Sequence, residues 1–167
     1  MIYDPSLGHD SQSILCYADA NFRGEADTSK STSGIVVNVL GALVIWNSKK
    51  QSIAAQSLMQ AEMIAIAYSK VQIDSLRDLT AETRIDNQDI TRGILNNGVH
   101  CVTTLHSANL QTDSRHLQPR YHTIHEAIAN GQIEIKHVAG MEMLADALTK
   151  ALGGVKLGEL VADIGLG

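Results

Sequence analysis

Four acidic residues in this chain stand where their carboxylates could meet at one point of a fold. They come from well-separated parts of the sequence: Asp19, Glu62, Asp86 and Asp146. Carboxylates that gather in one place repel each other unless a cation lies among them, and Mg²⁺ is a hard cation that takes oxygen ligands. A pair of such ions suits phosphoryl chemistry. The four acids therefore predict a magnesium site and favour a metal-dependent nuclease.

Each of the four acids also has an ordinary structural interpretation. Asp19 follows the apolar run ILCYA and suits the start of a turn. Glu62 and Asp146 suit exposed positions on helices. Asp86 suits the N-cap of a following helix, where Asp and Asn are preferred. Considered alone, Asp19 is better explained as the start of a turn. Considered together with the motifs around them, the four acids are better explained as a metal site.

The size and composition of the chain fit one globular domain. It has 167 residues, of which 44% are hydrophobic and 19% are charged, as is usual for soluble domains. Pro5 and Gly8 mark 1–12 as an arm or linker, which leaves 13–167 for the domain. The two cysteines match no metal-binding spacing. No apolar run reaches the roughly 20 residues of a membrane-spanning helix, and the N-terminus does not have the pattern of a signal peptide. We therefore expect a cytoplasmic protein.

The net charge of −5 speaks at first against a nucleic-acid partner, because phosphate binding normally rests on Lys and Arg. If the four acids form one metal site, the remainder of the chain carries a charge of only −1. Local basic groups then matter more than the total charge. Those predicted to contact a nucleic-acid substrate are Lys49, Lys50, Arg115, His116 and Arg120. The alternative is that they are ordinary solvated charges.

Hydrophobic periodicity divides the chain into strands and helices. It predicts strands over 13–19, 33–39 and 42–47, which form a meander, and a helix over 57–79. The later predicted elements are a strand over 81–86, a helix over 87–95, a helix over 115–130, a strand over 132–138, a helix over 142–152 and a short helix in the tail. This order predicts an α/β fold with a five-stranded mixed sheet, antiparallel in its first three strands, and helices on both faces.

Seven fragments, in order along the chain, carry a resemblance to a known family. They are YADANFRGE (17–25), KSTSGIV (30–36), WNSKKQ (46–51), SLMQAEMIA (57–65), IDNQDI (85–90), RHLQPRYHTIHE (115–126) and LADALTK (144–150). Each fragment alone is weak, but seven in register are specific. They resemble the ribonuclease H domain at the C-terminal end of copia-type LTR retrotransposon polyproteins, and the resemblance covers nearly the whole chain.

The resemblance implies a ribonuclease H-like fold and an endoribonuclease that hydrolyses the RNA strand of RNA–DNA hybrids. By this match, the family's catalytic, metal-binding positions are taken by Asp19, Glu62, Asp86 and Asp146. Two Mg²⁺ ions are implied as cofactors, with Mn²⁺ as an alternative. The implied partners are the hybrid itself and a reverse transcriptase domain in the parent polyprotein. The implied setting is the cytoplasm, including virus-like particles.

The chain departs from the family pattern at several positions. Phe22 stands where the family usually has Trp, Gln60 where it has Glu, and Met63 where it has Tyr. The region after Asp86 is also longer than in the family, with an insertion over 98–113. An inactive ribonuclease H-like scaffold that binds nucleic acid or protein is therefore the alternative function. An integrase or resolvase of the same fold, acting on DNA, is a third hypothesis, and the KSTSG and SKKQ fragments speak against it.

Overall fold

Strands and helices of this protein are seen in a computed structural model that describes residues 14–24, 27–82, 93–97, 105, 118–140 and 142–163. The strands are β1 (Ile14–Asn21), β2 (Thr32–Val39), β3 (Ala42–Lys50), β4 (Gly93–Asn97) and β5 (Ile133–His137). The helices include α1 (Leu58–Glu82), α2 (Gln118–Ala129), α3 (Asp146–Thr149) and α4 (Gly154–Asp163). None of the helices in the described ranges is long and apolar enough to cross a membrane.

The strands form one mixed sheet in the order β3-β2-β1-β4-β5. β1, β2 and β3 pair antiparallel, whereas β4 lies parallel to both β1 and β5. β1 is therefore the central strand, and its last residues lie level with the start of β2 and the end of β3. The predicted α/β class and the antiparallel start of the sheet are confirmed.

The turn between β2 and β3 follows from its two central residues. Leu40 and Gly41 both have positive φ, at 52° and 77°. Two consecutive residues with positive φ are what a type I′ hairpin turn requires, and the twist of this turn matches the twist of the strands it joins. The glycine adopts this backbone conformation without the steric cost that a side chain would add.

α1 begins where two side chains bind backbone amides that the helix leaves unsatisfied. Ser57 Oγ accepts a hydrogen bond from the N–H of Gln60 at 3.2 Å, and Gln60 Oε1 accepts one from the N–H of Gln56 at 2.9 Å. The arrangement is close to a capping box, in which Glu and Gln serve equally. Gln60 therefore takes part in the capping of α1.

The two faces of the sheet are covered by separate hydrophobic clusters. Ile14, Cys16 and Ala18 of β1 belong to the cluster that includes buried residues of α1 and α2. Leu15 and Tyr17 belong to the other cluster, with the segment before α3 and with α4. Since successive side chains of a strand point to opposite faces, the residue two positions after Tyr17 lies on the α3 side of the sheet.

Two predictions are wrong where the structure tests them, at 81–82 and at 93–95, and the residues between these positions lie outside the described ones. α1 continues through Glu82, where the sequence predicts a strand over 81–86. β4 spans Gly93–Asn97 and overlaps the predicted helix over 87–95. β4 pairs with strands on both sides, and such tertiary pairing outweighs a weak local preference for helix.

In the C-terminal half, one helix ends where the sequence predicts and another is shorter than predicted. α2 ends in a Schellman motif, because Gly131 has φ of 67° and the N–H of Gln132 donates to the carbonyl oxygen of Ala127 at 2.8 Å. The predicted helix over 142–152 is reduced to the single turn of α3, preceded by turns. Four consecutive residues, 143–146, are buried, and a helix that lies on a surface cannot bury its whole circumference.

Candidate active site

Asp19 lies near the end of the central strand, on the side of the sheet that α3 covers. It follows Leu15 and Tyr17 in the alternation along β1, and 15% of its side chain is exposed. The hydroxyl of Thr149 on α3 donates a hydrogen bond to Asp19 Oδ2. The strand therefore presents a nearly buried carboxylate, and a side chain of α3 fixes its orientation.

A glycine on the neighbouring strand lets α3 come close to Asp19. Gly34 pairs with Asp19 across β1 and β2. A Cβ at this position would lie 2.6 Å from Cγ2 of Thr149 and 2.9 Å from the carbonyl oxygen of Ala145. Only a residue without a side chain leaves room for the helix here. The close approach brings Asp146, the first residue of α3, beside the end of β1.

A lysine ammonium lies between the carboxylates of Asp19 and Asp146. Lys150 Nζ is 2.5 Å from Asp146 Oδ1 and 3.3 Å from Asp19 Oδ2. Lys156 Nζ approaches the other oxygen of Asp146 at 3.5 Å. Burial lowers the pKa of Lys150, but its hydrogen bond to Asp146 and the charges of the two acids outweigh that effect, so its pKa is raised. The two acids therefore form a cation site.

The chemistry of this cation site fits a divalent metal ion. Its donors are carboxylate and hydroxyl oxygens, from Asp19, Asp146 and Thr149, and oxygen is the donor that Mg²⁺ prefers. The Lys150 ammonium stands in for such an ion, because it occupies a point close to both carboxylates. The residues present fit the metal that the sequence predicts.

Glu62 lies in the first turns of α1 and is only 8% exposed. The turn before it is tied to the sheet by Gln51, whose Nε2 donates to Ser33 Oγ and to the carbonyl oxygen of Ala61, both at 2.9 Å. Within the described ranges, however, no group of three or more His, Cys, Asp or Glu side chains is arranged to hold a metal ion. Among the described residues, the structure thus joins two of the predicted acids, Asp19 and Asp146, and the role of Glu62 stays a prediction.

Three of the predicted site residues lie outside the described residues: Asp86, Arg115 and His116. Their roles therefore stay predictions. The strand beside β1 in the described residues is β4, which starts seven residues after Asp86 and pairs Asn96 with Tyr17.

A cavity of about 480 Å³ opens on the α1 face of the sheet. Its lining includes Ser33, which pairs with Ala20 on one side and with Lys49 on the other, so the cavity lies at the same end of the sheet as Asp19. The basic residues that line it are Lys49, Lys50, Lys70 and Arg120, and Asp74 is the acid among its described lining residues. Three of the five basic residues predicted to bind substrate thus line one cavity.

Two of these lysines have defined contacts. Lys49 Nζ lies 5.1 Å from the centroid of the Tyr68 ring, and the Tyr68 hydroxyl accepts a hydrogen bond from Asn47 Nδ2 at 3.2 Å. Lys70 is paired with Asp74 at 2.5 Å. The pairing neutralises Lys70, so the positive charge of the cavity comes mainly from its other basic residues.

Some residues that build the site were not singled out from the sequence. Gly34 and Gln51 hold elements together, and Thr149 and Lys150 contact Asp19 directly. All of them lie within the fragments KSTSGIV, WNSKKQ and LADALTK. The fragments therefore contain these site residues, although residue type alone does not distinguish their positions from the neighbouring ones.

Comparisons with known proteins support the resemblance seen in the sequence. No protein-family model matches the chain. The chain is 29% identical, over 92% of its length, to the retrovirus-related Pol polyprotein from transposon RE1 of Arabidopsis thaliana. It is 24% identical, over 81% of its length, to that from transposon TNT 1-94 of Nicotiana tabacum. It spans about a tenth of each polyprotein.

Solved structures of ribonucleases H share this fold at low sequence identity. Ribonuclease H1 from Halobacterium salinarum superposes with a TM-score of 0.52 at 19% identity, over 82% of this chain and 94% of that one. LC11 ribonuclease H1 in complex with an RNA/DNA hybrid has a TM-score of 0.54 at 17% identity, over 81% and 93%. The fold is that of ribonuclease H. The recognition of a ribonuclease H domain related to retrotransposon Pol polyproteins is thereby confirmed.

Proposed function

We propose that this ribonuclease H-fold chain is an endonuclease that hydrolyses the RNA strand of RNA–DNA hybrids, with two Mg²⁺ ions bound by Asp19, Glu62, Asp86 and Asp146. The observation that carries the proposal is the cation site between Asp19 and Asp146, where an ammonium lies 3.3 and 2.5 Å from the two carboxylates. Mn²⁺ is the alternative ion. When bound, the metal ions would activate water and stabilise the leaving oxygen of the scissile phosphate.

Other residues of the chain would position the acids that bind the metal ions. Thr149 orients the Asp19 carboxylate through its hydroxyl, and Gly34 permits the close approach of the helix that carries Asp146. Gln51 fixes the turn of α1 that carries Glu62. Groups positioned before the reaction lower its barrier because they do not have to be ordered during it.

The substrate would lie across the end of the sheet and reach the basic cavity. Lys49, Lys50 and Arg120 line that cavity, and Arg115 and His116 would add further contacts to the substrate, as the sequence predicts. Basic side chains neutralise backbone phosphates without reading sequence, and RNA is distinguished from DNA by its 2′-hydroxyl and by groove shape. The structure of LC11 ribonuclease H1 in complex with an RNA/DNA hybrid supports this substrate class.

In a complete polyprotein the chain would act beside a reverse transcriptase, in the cytoplasm. The polyproteins it matches are about ten times its length. A protease–reverse transcriptase chain of prototype foamy virus contains a similar fold, with a TM-score of 0.56 at 13% identity over 91% of this chain and 23% of that one. Such a neighbour would supply the hybrid on which the nuclease acts.

Cleavage of a labelled hybrid in the presence of Mg²⁺ tests the proposal. We expect the wild-type protein to cut the RNA strand and Asp19→Asn, Asp86→Asn and Asp146→Asn each to lose at least about a hundredfold in rate, since removing one well-placed electrostatic group commonly costs that much. Asp78→Asn, an exposed acid on α1, is the matched control and should cut normally. Cleavage by Asp146→Asn at the control rate would contradict the proposal.

A binding module is the second candidate, and one observation favours it. The described acids do not form a group of three that could hold a metal ion. If the wild-type protein binds the hybrid but leaves it intact under conditions where another ribonuclease H cuts it, the chain is a scaffold that binds nucleic acid. Cleavage of duplex DNA instead would favour an integrase or resolvase.

A further inference from the structure

Lys150 is the group closest to both carboxylates of the cation site. Its ammonium lies 2.5 Å from Asp146 Oδ1 and 3.3 Å from Asp19 Oδ2. The two carboxylates are mostly buried, with 6% and 15% of their side chains exposed. Buried negative charges are costly unless they are paired. Without a cation, Asp19 and Asp146 would repel each other across a poorly solvated gap.

The same position is the one a divalent ion would take. A metal ion that bridges the two acids must lie within a few ångströms of both carboxylates, where the Lys150 ammonium lies now. Two cations cannot share this point, because like charges at such distances repel strongly. Binding of the metal ion therefore requires that the ammonium leave.

Lys150 is placed so that it can leave. It follows the last residue of α3, its backbone is extended, and 44% of its side chain is exposed. A lysine carries its charge on a flexible four-carbon stem, so the ammonium can swing into solvent while the helix stays in place. Lys156 is less well placed to compete, because its ammonium lies 3.5 Å from Asp146, makes no ion pair with Asp19 among the described residues, and also donates to the carbonyl oxygen of Gly140 at 3.4 Å.

We propose that Lys150 is an internal counterion that occupies the metal position between Asp19 and Asp146 and is displaced when a divalent ion binds. The inference rests on the proposed function, since it concerns the same metal site. It adds a role for a residue that neither the motifs nor the comparisons assign. Lys150 keeps the site assembled without metal and weakens metal binding by competing with it.

Calorimetric titration with Mg²⁺ and with Mn²⁺ measures this competition directly. Lys150→Gln and Lys150→Met should bind each ion roughly two- to fivefold more tightly than the wild type, the range expected from losing a partly exposed ion pair. Lys150→Arg retains the charge and should bind the ions like the wild type. Lys136→Gln is the control, because Lys136 is paired with Glu134 at 3.6 Å on β5, an edge strand of the sheet.

Thermal unfolding with EDTA and with Mg²⁺ gives a second readout that does not depend on activity. Lys150→Gln should melt at a lower temperature than the wild type in EDTA, and Mg²⁺ should raise its melting temperature by more. Equal or weaker metal affinity in Lys150→Gln and Lys150→Met would overturn the inference while leaving the nuclease proposal intact. Absence of metal binding in every variant and in the wild type would overturn both.

Discussion

Asp19 and Asp146 show how a few contacts decide whether a buried acid is tolerated. Both carboxylates are largely removed from water, yet each is close to a positive charge. The hydroxyl of Thr149 adds a hydrogen bond to Asp19. Hydrogen bonds to a charged group are stronger than those between neutral groups, so this small set of contacts holds the acids in a defined geometry before any substrate arrives.

The buried side-chain amide of Gln51 allows the contribution of two hydrogen bonds to stability to be measured. Its Nε2 joins Ser33 of β2 to Ala61 of α1, so Gln51→Leu removes both hydrogen bonds and should reduce the free energy of unfolding by about 1–2 kcal/mol. Its Oε1 has no hydrogen-bond partner among the described residues, which limits the loss. Urea denaturation measures the effect. Gln56→Leu, an exposed glutamine in the same loop, should change stability little, and an equal effect of the two variants would contradict this role.

At the level of elements, the sequence predicts helices and strands best where the local pattern and the tertiary packing favour the same structure. β1 pairs with β2, β2 and β3 are joined by a turn that contains Gly41, and α1 begins at a capping serine. Residues 93–95 are predicted wrongly as helix because β4 is short and is selected by the strands on both sides of it. Such pairing depends on residues distant in the chain, which no local window contains.

The close contact between β2 and α3 at Gly34 should tolerate no added side chain. Gly34→Ala would place a Cβ 2.6 Å from Thr149 Cγ2 and 3.0 Å from Leu148 Cβ, so we expect a loss of about 1–3 kcal/mol in stability, as is usual for overpacking. Displacing α3 would also move Asp146 away from Asp19, and we therefore expect weaker Mg²⁺ binding. Chemical denaturation and calorimetric titration measure the two effects.

Gly158→Ala is the matched control for that variant. Gly158 lies in α4 and a Cβ there meets nothing within 4 Å, so the same substitution should raise stability by about 0.5–1 kcal/mol through helix propensity alone. If Gly34→Ala were as stable as the wild type and bound Mg²⁺ equally well, the close approach of α3 would not be needed to build the site.

At the level of the whole molecule, the convergence of distant acids could be predicted only in part. The order of motifs predicted that Asp19 and Asp146, 127 positions apart in the sequence, belong to one site, and the structure places both beside Lys150. No rule of local structure predicts that these two carboxylates come close together in space, or that the Lys150 ammonium contacts both of them. The fold brings them together because β1 is the central strand and because α3 packs over its end.

The charge distribution of the molecule predicts how it should bind a hybrid as salt changes. The net charge is −5, yet Lys49, Lys50 and Arg120 gather at one cavity. Each phosphate contact releases counterions, so the logarithm of the association constant should fall with the logarithm of salt concentration, and each lost contact should reduce that slope by about 0.9. Alanine at each of the three positions should therefore weaken binding of the hybrid and reduce this slope. Fluorescence anisotropy with a labelled hybrid, in the absence of divalent ions, measures both effects.

Lys136→Ala is the control, because Lys136 lies on the edge strand β5, and it should leave the slope unchanged. An equal change of slope in this control would show that the total charge of the protein, and not the cavity, governs binding.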